Sequence, residues 1–334
     1  MTAHRGLTHC LLAALLALAP LSCGEAEQPG EKTADTSISP EKLSPLKLAL
    51  LPIVDVLPFY LAEEQGWFTD AGVEVTAVPV SSALERNQLL QSEQVDGMLG
   101  EMASAAFFNR DATRIRVVMT ARKAYPGAPI FRILAAPGSS VTKAADLAGV
   151  PIAISEKTII EYITNRLLQA EGLKPDEIVS QSVPAIPERY QLLMEGRVKA
   201  ATLPDPLAQS AVTSGAVLVL DDAAHPKYAV TILAFRAATL SENPVAVRRF
   251  LKVWNRAAGT VNADPAAYRS LLLSKIRVPE NVQESFAIPP FPTEEIPSRE
   301  QWGDVVDWLL ERGLIDRKAA YAPSVTGEFL SSGP

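Results

Sequence analysis

Residues 46–80 read LKLALLPIVDVLPFYLAEEQGWFTDAGVEVTAVPV. Within them, Leu46–Val54 is an apolar run of the length of a buried strand, and Val73–Val80 alternates like a second strand. Between the two, Pro58–Phe68 carries its apolar side chains at helical spacing. Two strands joined by a single helix predict parallel pairing with a right-handed crossover.

The same alternation continues along the chain and restarts after residue 130. The first block continues with a helix at 83–94, a strand at 96–100, a helix at 102–110 and a strand at 115–120. The second block has strands at 131–136, 150–154, 178–183, 199–203 and 216–220, with helices at 144–149, 158–171, 188–196 and 206–215. A strand at 230–236 and helices at 244–262, 265–276 and 299–312 follow. The pattern predicts an α/β fold of two blocks with a helical C-terminal part.

The N-terminal segment has the pattern of an export signal. His4 and Arg5 precede the apolar run Cys10–Ala19, which is too short to span a bilayer. The segment resembles a bacterial lipoprotein signal, residues 1–22, after which Cys23 would be lipidated. Pro20 and Leu21 depart from the usual residues before that cysteine, so an ordinary signal peptide and a soluble periplasmic protein remain the alternative.

A polar linker is predicted to follow the signal. Residues 23–45 are rich in Glu, Lys, Ser, Thr and Pro and hold almost no aliphatic side chains, so they cannot form a core, and the fold is expected to begin near Leu46. Loss of the signal removes Arg5 from 31 Lys+Arg and nothing from 38 Asp+Glu, which leaves a net charge of −8. An acidic chain without basic blocks argues against a nucleic-acid partner.

Histidine and cysteine are scarce after the signal. Only His225 and Cys23 remain there, so a Cys/His metal site cannot be assembled and a catalytic cysteine is absent. His225 precedes Pro226 and is interpreted as a solvated loop residue. No cofactor and no metal are predicted, and no pair of carboxylates is marked by its spacing as a catalytic pair.

The stretch Pro58–Val75 resembles the first helix, turn and strand of the solute-binding proteins of ABC importers. It is most similar to the branch related to aliphatic-sulfonate, taurine, nitrate and thiamine-precursor binders. The matching positions are Tyr60, Ala62, Gly66, Phe68, Gly72 and Val75, followed by Gln94–Gly97, Ala145–Gly149, Leu173–Asp176 and Val306–Ile315. The resemblance covers roughly residues 46–315.

The resemblance implies a two-lobed periplasmic-binding-protein fold of type II. Each lobe would be a parallel-rich sheet flanked by helices, with lobe one formed by residues 46–132 plus 231–334 and lobe two by residues 135–229. A small solute would lie in the cleft between the lobes. It also implies a monomeric receptor that closes on its ligand and delivers it to an ABC permease with its ATPase, tied to the periplasmic face of a bacterial membrane through Cys23.

Candidate cleft residues follow from a general rule for open parallel sheets, in which ligands bind beyond the carboxyl ends of strands and at helix N-termini. Five loops of this kind are predicted, and Tyr125 lies near the first crossing between the lobes. The candidate ligand-binding residues are Asp55, Val56, Ser81, Ser82, Glu101, Tyr125, Ser155, Glu156 and Asp205. The three serines are equally well explained as helix caps, and the acidic residues as partners of helix N-termini. Relatives of the family place an acidic residue before a proline, like Asp205, where it faces the ligand.

The excess of carboxylates in these loops bears on the ligand. A sulfonate or nitrate site uses arginine, hydroxyl groups and helix N–H groups, because a desolvated anion is repelled by nearby carboxylates. The predicted ligand is therefore neutral or cationic, in the class of heteroaromatics such as pyrimidines or vitamin precursors. A sulfonate- or nitrate-type anion receptor is the alternative, and so is a lipoprotein that senses a ligand without transport. Related pyrimidine-making enzymes have a cysteine-rich motif and an active-site histidine, which this chain lacks, so catalysis is not expected.

Overall fold

The computed structural model describes residues 45–331. Cys23, the predicted signal peptide and almost all of the predicted linker lie outside these residues. The described chain contains ten strands: β1 (Leu46–Leu50), β2 (Val75–Pro79), β3 (Gly97–Glu101), β4 (Ile115–Lys123), β5 (Phe131–Ala135), β6 (Pro151–Ile154), β7 (Val179–Ser182), β8 (Ala200–Pro204), β9 (Val217–Asp221) and β10 (Val230–Arg236).

Twelve α-helices lie between and after the strands. They are α1 (Leu57–Glu64), α2 (Trp67–Asp70), α3 (Ala83–Gln91), α4 (Met102–Phe108), α5 (Ile159–Ala170), α6 (Ile186–Met194), α7 (Leu207–Thr213), α8 (Ala237–Glu242), α9 (Pro244–Ala263), α10 (Arg269–Lys275), α11 (Arg299–Glu311) and α12 (Tyr321–Ser324). Short 3-10 turns occur at Val54–Val56, Ala144–Leu147, Pro175–Glu177, Asp222–Ala224, Pro226–Tyr228, Pro265–Tyr268 and Glu280–Val282.

The strands form two five-stranded mixed sheets, which confirms the α/β prediction. The first sheet has the order β2-β1-β3-β10-β4 and the second the order β7-β6-β8-β5-β9. Each sheet is largely parallel but contains one antiparallel strand, β10 in the first and β5 in the second. These two strands directly follow the segments that pass between the sheets, so a crossover helix within one sheet does not set their direction.

The chain passes between the sheets twice. The first crossing, residues 124–130, leaves the carboxyl end of β4 and enters the second sheet at Phe131, earlier than the predicted start of lobe two at residue 135. The second crossing, residues 222–229, leaves the carboxyl end of β9 and enters the first sheet at Val230. Both crossings therefore join the edges where the carboxyl ends of the parallel strands lie.

Several element boundaries differ from the sequence-based prediction for local reasons. β1 ends at Leu50, and residues Val54–Val56 form a 3-10 turn that leads into α1. The predicted helix 58–68 is divided at Gly66, whose φ of 69° is left-handed and suits glycine. The predicted helix 265–276 begins as a 3-10 turn and becomes α-helical at Arg269.

Helix α9 shows how the C-terminal helices complete the first core. Its buried side chains repeat at three- and four-residue spacing, so one face of the helix packs on the first sheet. Phe250 lies 5.7 Å from the ring of Phe68 and 5.7 Å from that of Phe235, measured between centroids. The helical part therefore contributes to the core of the first sheet and is not a separate domain.

Candidate functional site

Asp55 lies where the first sheet meets both crossings. It is 1% exposed in the turn after β1, and its carboxylate is 3.1 Å from the Arg122 guanidinium at the end of β4. Thr231 at the start of β10 donates to the other carboxylate oxygen at 2.7 Å, and Arg122 donates to the carbonyl of Pro129 at 2.9 Å. Asp55 and Arg122 therefore connect the turn after β1 to the first crossing and to the end of the second.

Asp222 connects the two crossings directly. Its buried carboxylate accepts the backbone N–H of Ile130 at 3.0 Å and that of Phe131 at 2.8 Å. Burial raises the pKa of Asp222 to about 7, against the opposing effect of these two N–H groups and of the Arg122 charge. Asp221 beside it raises this pKa further. The sequence analysis did not identify Asp222, because nothing in its local pattern distinguishes it from a surface residue.

Glu101 is the last residue of β3 and is buried in a pair with Arg86 of α3. The two guanidinium NH2 groups donate to the two carboxylate oxygens at 2.8 Å each, and the Ser104 hydroxyl donates at 2.6 Å. Burial raises the pKa of Glu101, but Arg86 and Ser104 outweigh it and hold the pKa below its usual range. Glu101 is therefore an ionised carboxylate whose negative charge is balanced by the Arg86 guanidinium.

Asp205 has the same arrangement in the second sheet. Arg132 of β5 donates to its two oxygens at 2.9 and 2.7 Å, and the backbone N–H of Gln209 donates at 3.1 Å. Burial lowers the pKa of Arg132, but the paired Asp205 carboxylate outweighs this and the pKa is raised. Three of the four acidic candidates are thus ion-paired with an arginine.

The serines after β2 act as partners of α3. The Ser82 hydroxyl accepts the N–H of Glu85 at 3.1 Å and caps the helix. The Glu85 carboxylate in turn accepts the N–H and the hydroxyl of Ser81 at 2.8 and 2.7 Å. Among the described residues, no hydrogen bond joins Ser81 or Ser82 to another candidate residue.

Ser155 is not the cap of α5, in contrast to the capping role considered for it. The N-cap is Thr158, whose hydroxyl accepts the N–H of Ile160 at 3.1 Å, because the helix begins only at Ile159. Ser155 instead donates to the carbonyl of Pro184 at 2.8 Å and accepts from Arg189 at 3.2 Å. Its neighbour Glu156 is exposed.

Arg189 of α6 carries a charge without a carboxylate partner in the described part of the chain. Its side chain is fully buried, and its Nη1 also donates to the carbonyl of Val183 at 2.9 Å. Its Nε and Nη2 have no hydrogen-bond partner among residues 45–331. Burial lowers the pKa of Arg189 to about 10.

The two remaining candidate residues, Val56 and Tyr125, differ in burial. Val56 is fully buried in the core of the first sheet and presents no surface to a cleft. Tyr125 in the first crossing is partly buried, which raises the pKa of its hydroxyl, and the Lys123 ammonium lies 5.5 Å from its ring centroid. Lys123 is in turn ion-paired with Glu295 at 2.6 Å.

An apolar interface joins the helices that follow β3 and β6. The side chains around it enclose no space large enough for a water molecule. Its lining residues are Glu101, Met102, Ala103, Ile159, Tyr162, Tyr228, Val230 and Val305. In this conformation the structure therefore brings Glu101 against α5 and closes the space between them.

The arginines are the site residues that sequence reasoning missed. Arg122 lies in the buried part of β4, and Arg132 lies within the apolar sequence of β5. A charged residue in a buried strand requires a partner, so these positions carried a usable signal for buried ion pairs. Arg86, in the polar helix α3, carried no comparable signal.

The described part of the chain lacks the features of two other classes of site. No group of three or more His, Cys, Asp or Glu side chains within residues 45–331 is arranged to hold a metal ion. No helix in the same range combines the length and the apolar character that a membrane span requires.

Comparison with known proteins gives a family match and several similar folds. The model of the "NMT1/THI5 like" family matches residues 53–268, and no curated protein sequence matches. The ligand binding component of an ABC-type import system from Staphylococcus aureus, solved with zinc bound, has a TM-score of 0.71 and 12% identity, over 86% of this chain and 98% of that one. The periplasmic aliphatic sulphonate binding protein SsuA from Escherichia coli has a TM-score of 0.69 and 16% identity, over 83% and 96%. A desulfurization enzyme, DSZB, has a TM-score of 0.61 and 17% identity, over 85% and 97%. At these identities the likeness concerns the fold.

Proposed function

This chain belongs to the NMT1/THI5-like family, and on that basis we propose that it is the extracytoplasmic substrate-binding component of an ABC importer. It captures a small solute and delivers it to a permease with its ATPase. The observation that carries the proposal is the arrangement of the two sheets, whose carboxyl edges are joined by two crossings. Solved importer-binding proteins with a similar fold support it.

The mechanism we propose is closure of two lobes about the crossings. The lobes are built on the two sheets, so we place their boundaries at the crossings 124–130 and 222–229, the first of them earlier than the predicted boundary at residues 132–135. A ligand that contacts both lobes binds the closed form more tightly than the open form, and this difference in affinity shifts the population towards the closed form. The permease then distinguishes the closed form from the open one. The contacts of Asp55 and Asp222 hold the crossings at one place in the fold, which suits a hinge.

The ligand class rests on the charges at the carboxyl edges. A neutral or cationic heteroaromatic was predicted because the loops carry an excess of carboxylates. The pairing of Asp55, Glu101 and Asp205 with arginines removes most of that excess, although Glu156 stays exposed. Electrostatic attraction for a cationic ligand at these loops is therefore weaker than a count of their carboxylates predicts, and a neutral heteroaromatic fits them better.

An anionic ligand is the second candidate, and Arg189 favours it. A buried guanidinium without a carboxylate partner is costly, and an anionic group at Ser155 would supply the missing charge. Ser155 directly follows β6 and Val183 directly follows β7, and Arg189 donates to both at the carboxyl edge of the second sheet.

Isothermal titration of residues 24–334 with an alkanesulfonate, a pyrimidine and an organic amine separates the two classes. Micromolar binding of the pyrimidine or the amine alone supports the first candidate. Binding of the sulfonate alone rejects it in favour of the second. Binding of none of these compounds counts against both ligand classes.

We further propose that the protein is a lipoprotein of the periplasmic face, anchored through Cys23, with the soluble periplasmic form as the alternative. We also propose that it is not an enzyme, since no thiol and only His225 follow Cys23 in the sequence. A ligand-sensing lipoprotein without a permease is a further alternative. Transport of the bound solute into vesicles that contain the partner permease would separate these roles.

A further inference from the structure

The two halves of the molecule touch at two places of different character. One contact joins α5, which packs on the second sheet, to α4 and α11, which pack on the first. The other joins α7 of the second half to the turn Glu280–Val282 of the first. α7 is anchored by the buried Ala208 and Ala211, and the turn by the buried Val282.

The contact between α5 and α11 is aromatic and charged, with its rings and the Arg166 side chain buried. Tyr162 is 2% exposed, its ring meets the indole of Trp308 edge to face at 5.5 Å, and its hydroxyl donates to Asp304 at 2.8 Å. Arg166 donates to Asp304 at 3.0 Å and to Glu311 at 2.9 Å. Parting these helices would expose apolar rings and leave partly buried charges without partners, which is costly.

The second crossing also holds α11. Lys227 is 3.2 Å from the Glu300 carboxylate, and Gln301 donates to the Lys227 carbonyl at 3.3 Å. The contact between α5 and α11 therefore lies beside a crossing, and a point near a rotation axis moves least when the halves rotate.

The contact between α7 and the turn is made by neutral polar groups. Ser210 donates to the Asn281 side-chain carbonyl at 2.8 Å, while the Asn281 amide donates to the Ser210 carbonyl at 3.2 Å and to the Ser214 hydroxyl at 3.0 Å. Asn281 is exposed, and an open cavity of about 490 Å³ lies against the same segment, Glu280–Ser285. Water can take up these hydrogen bonds, so breaking this contact costs less than separating the charges of the α5–α11 contact, and the contact can break and reform.

From this difference we infer that the molecule opens at the contact between α7 and Asn281 and stays joined at the contact between α5 and α11. Asn281 is then the latch that holds the closed form, and the helices α5 and α11 form the fixed side of the rotation. The inference goes beyond the proposed function, because it concerns the ligand-free chain and does not depend on which solute is bound.

Spin-label distances in the ligand-free chain test the inference. Residues 24–334 contain no cysteine, so each pair of introduced cysteines carries the only labels. Thr213→Cys with Glu284→Cys spans the latch, and Ala170→Cys with Arg299→Cys spans the fixed side; all four positions are exposed. We expect a short and a long distance for the first pair and a single distance for the second.

Asn281→Ala is expected to raise the ratio of the long to the short population roughly tenfold, the effect of losing about one net hydrogen bond of the stronger kind. Ser214→Ala, which removes one of the three bonds, is expected to give a smaller rise. Glu280→Ala in the same turn is the control and should leave the ratio unchanged. A single short distance at the latch pair in both the parent and the Asn281→Ala chain overturns the inference, and so does a second distance at the α5–α11 pair.

Discussion

The Arg122 guanidinium lies 3.1 Å from the Asp55 carboxylate, and both side chains are almost completely buried where the two crossings meet the first sheet. Arg122 also donates to Pro129 in the first crossing, and Asp55 accepts from Thr231 just after the second. The pair therefore supports the segments about which the two halves would rotate, and its loss should affect the whole fold.

Replacement of Asp55 by alanine leaves Arg122 buried without its carboxylate. We expect Asp55→Ala to lower the free energy of unfolding by about 3–5 kcal/mol, measured by urea denaturation at pH 7. Arg197→Ala removes an exposed ion pair with Glu195 and is the matched control, expected to behave like the parent chain. A loss for Asp55→Ala no larger than that of the control would contradict the structural role of the pair.

Asp222 should make stability depend on pH. Its pKa is about 7 in the folded chain and about 3.9 in the unfolded chain, so the folded state binds the extra proton between these values. The free energy of unfolding should therefore fall as the pH rises from about 4 to about 7 and level off above, by on the order of a few kcal/mol in total.

The measurement is urea denaturation at pH 5, 6, 7 and 8 for the parent chain and for Asp222→Asn. The variant lacks the titrating group, so the parent should lose stability relative to the variant between pH 5 and pH 7. Parallel pH profiles for the two chains would show that Asp222 does not titrate in this range.

Arg189 should decide whether an anion is bound. Arg189→Met removes the only buried guanidinium without a carboxylate partner within the described residues. If the ligand is anionic, this substitution should weaken its binding. We expect an alkanesulfonate to raise the midpoint of thermal unfolding of the parent chain and not that of Arg189→Met. The same rise in both chains would exclude Arg189 from the site, and no rise in either would speak against an anionic ligand.

Cys23 should decide where the protein is found in a bacterial host. Full-length protein is expected in the membrane fraction, and Cys23→Ser in the soluble periplasmic fraction, because a lipid on Cys23 would anchor the chain and serine at this position cannot carry it. Cys10→Ser is the matched control, since it changes the other cysteine of the chain and should leave the protein in the membrane fraction. Equal fractionation of the parent and Cys23→Ser would favour the soluble periplasmic alternative.

The sequence predicted the fold well because its signals are local. Strand and helix alternation gave nearly every element in the right order, with ends that differ by a few residues. The antiparallel directions of β5 and β10 were not predictable in this way, since they depend on how the chain passes between the sheets.

The candidate site was harder to predict because its residues interact over long distances in the sequence. The position of Asp55 after β1 could be read from the apolar run, but its partners Arg122 and Thr231 lie 67 and 176 residues further along the chain. A list of carboxylates without their arginines gave the wrong local charge at Asp55, Glu101 and Asp205. Ser82, by contrast, caps α3 as its local sequence allows.

Thermal unfolding of residues 24–334 in the presence of a panel of solutes tests directly whether this chain is a receptor for a small solute. The panel contains sulfonates, pyrimidines, purines, vitamins, amines and amino acids, each at a high concentration. A solute at one hundred times its dissociation constant stabilises the fold by about 2.7 kcal/mol, which is a rise in the midpoint of roughly 5 °C for a chain of this size. We expect such a rise for one chemical class of solute. An unchanged midpoint across the whole panel would contradict the claim that this chain binds a small solute.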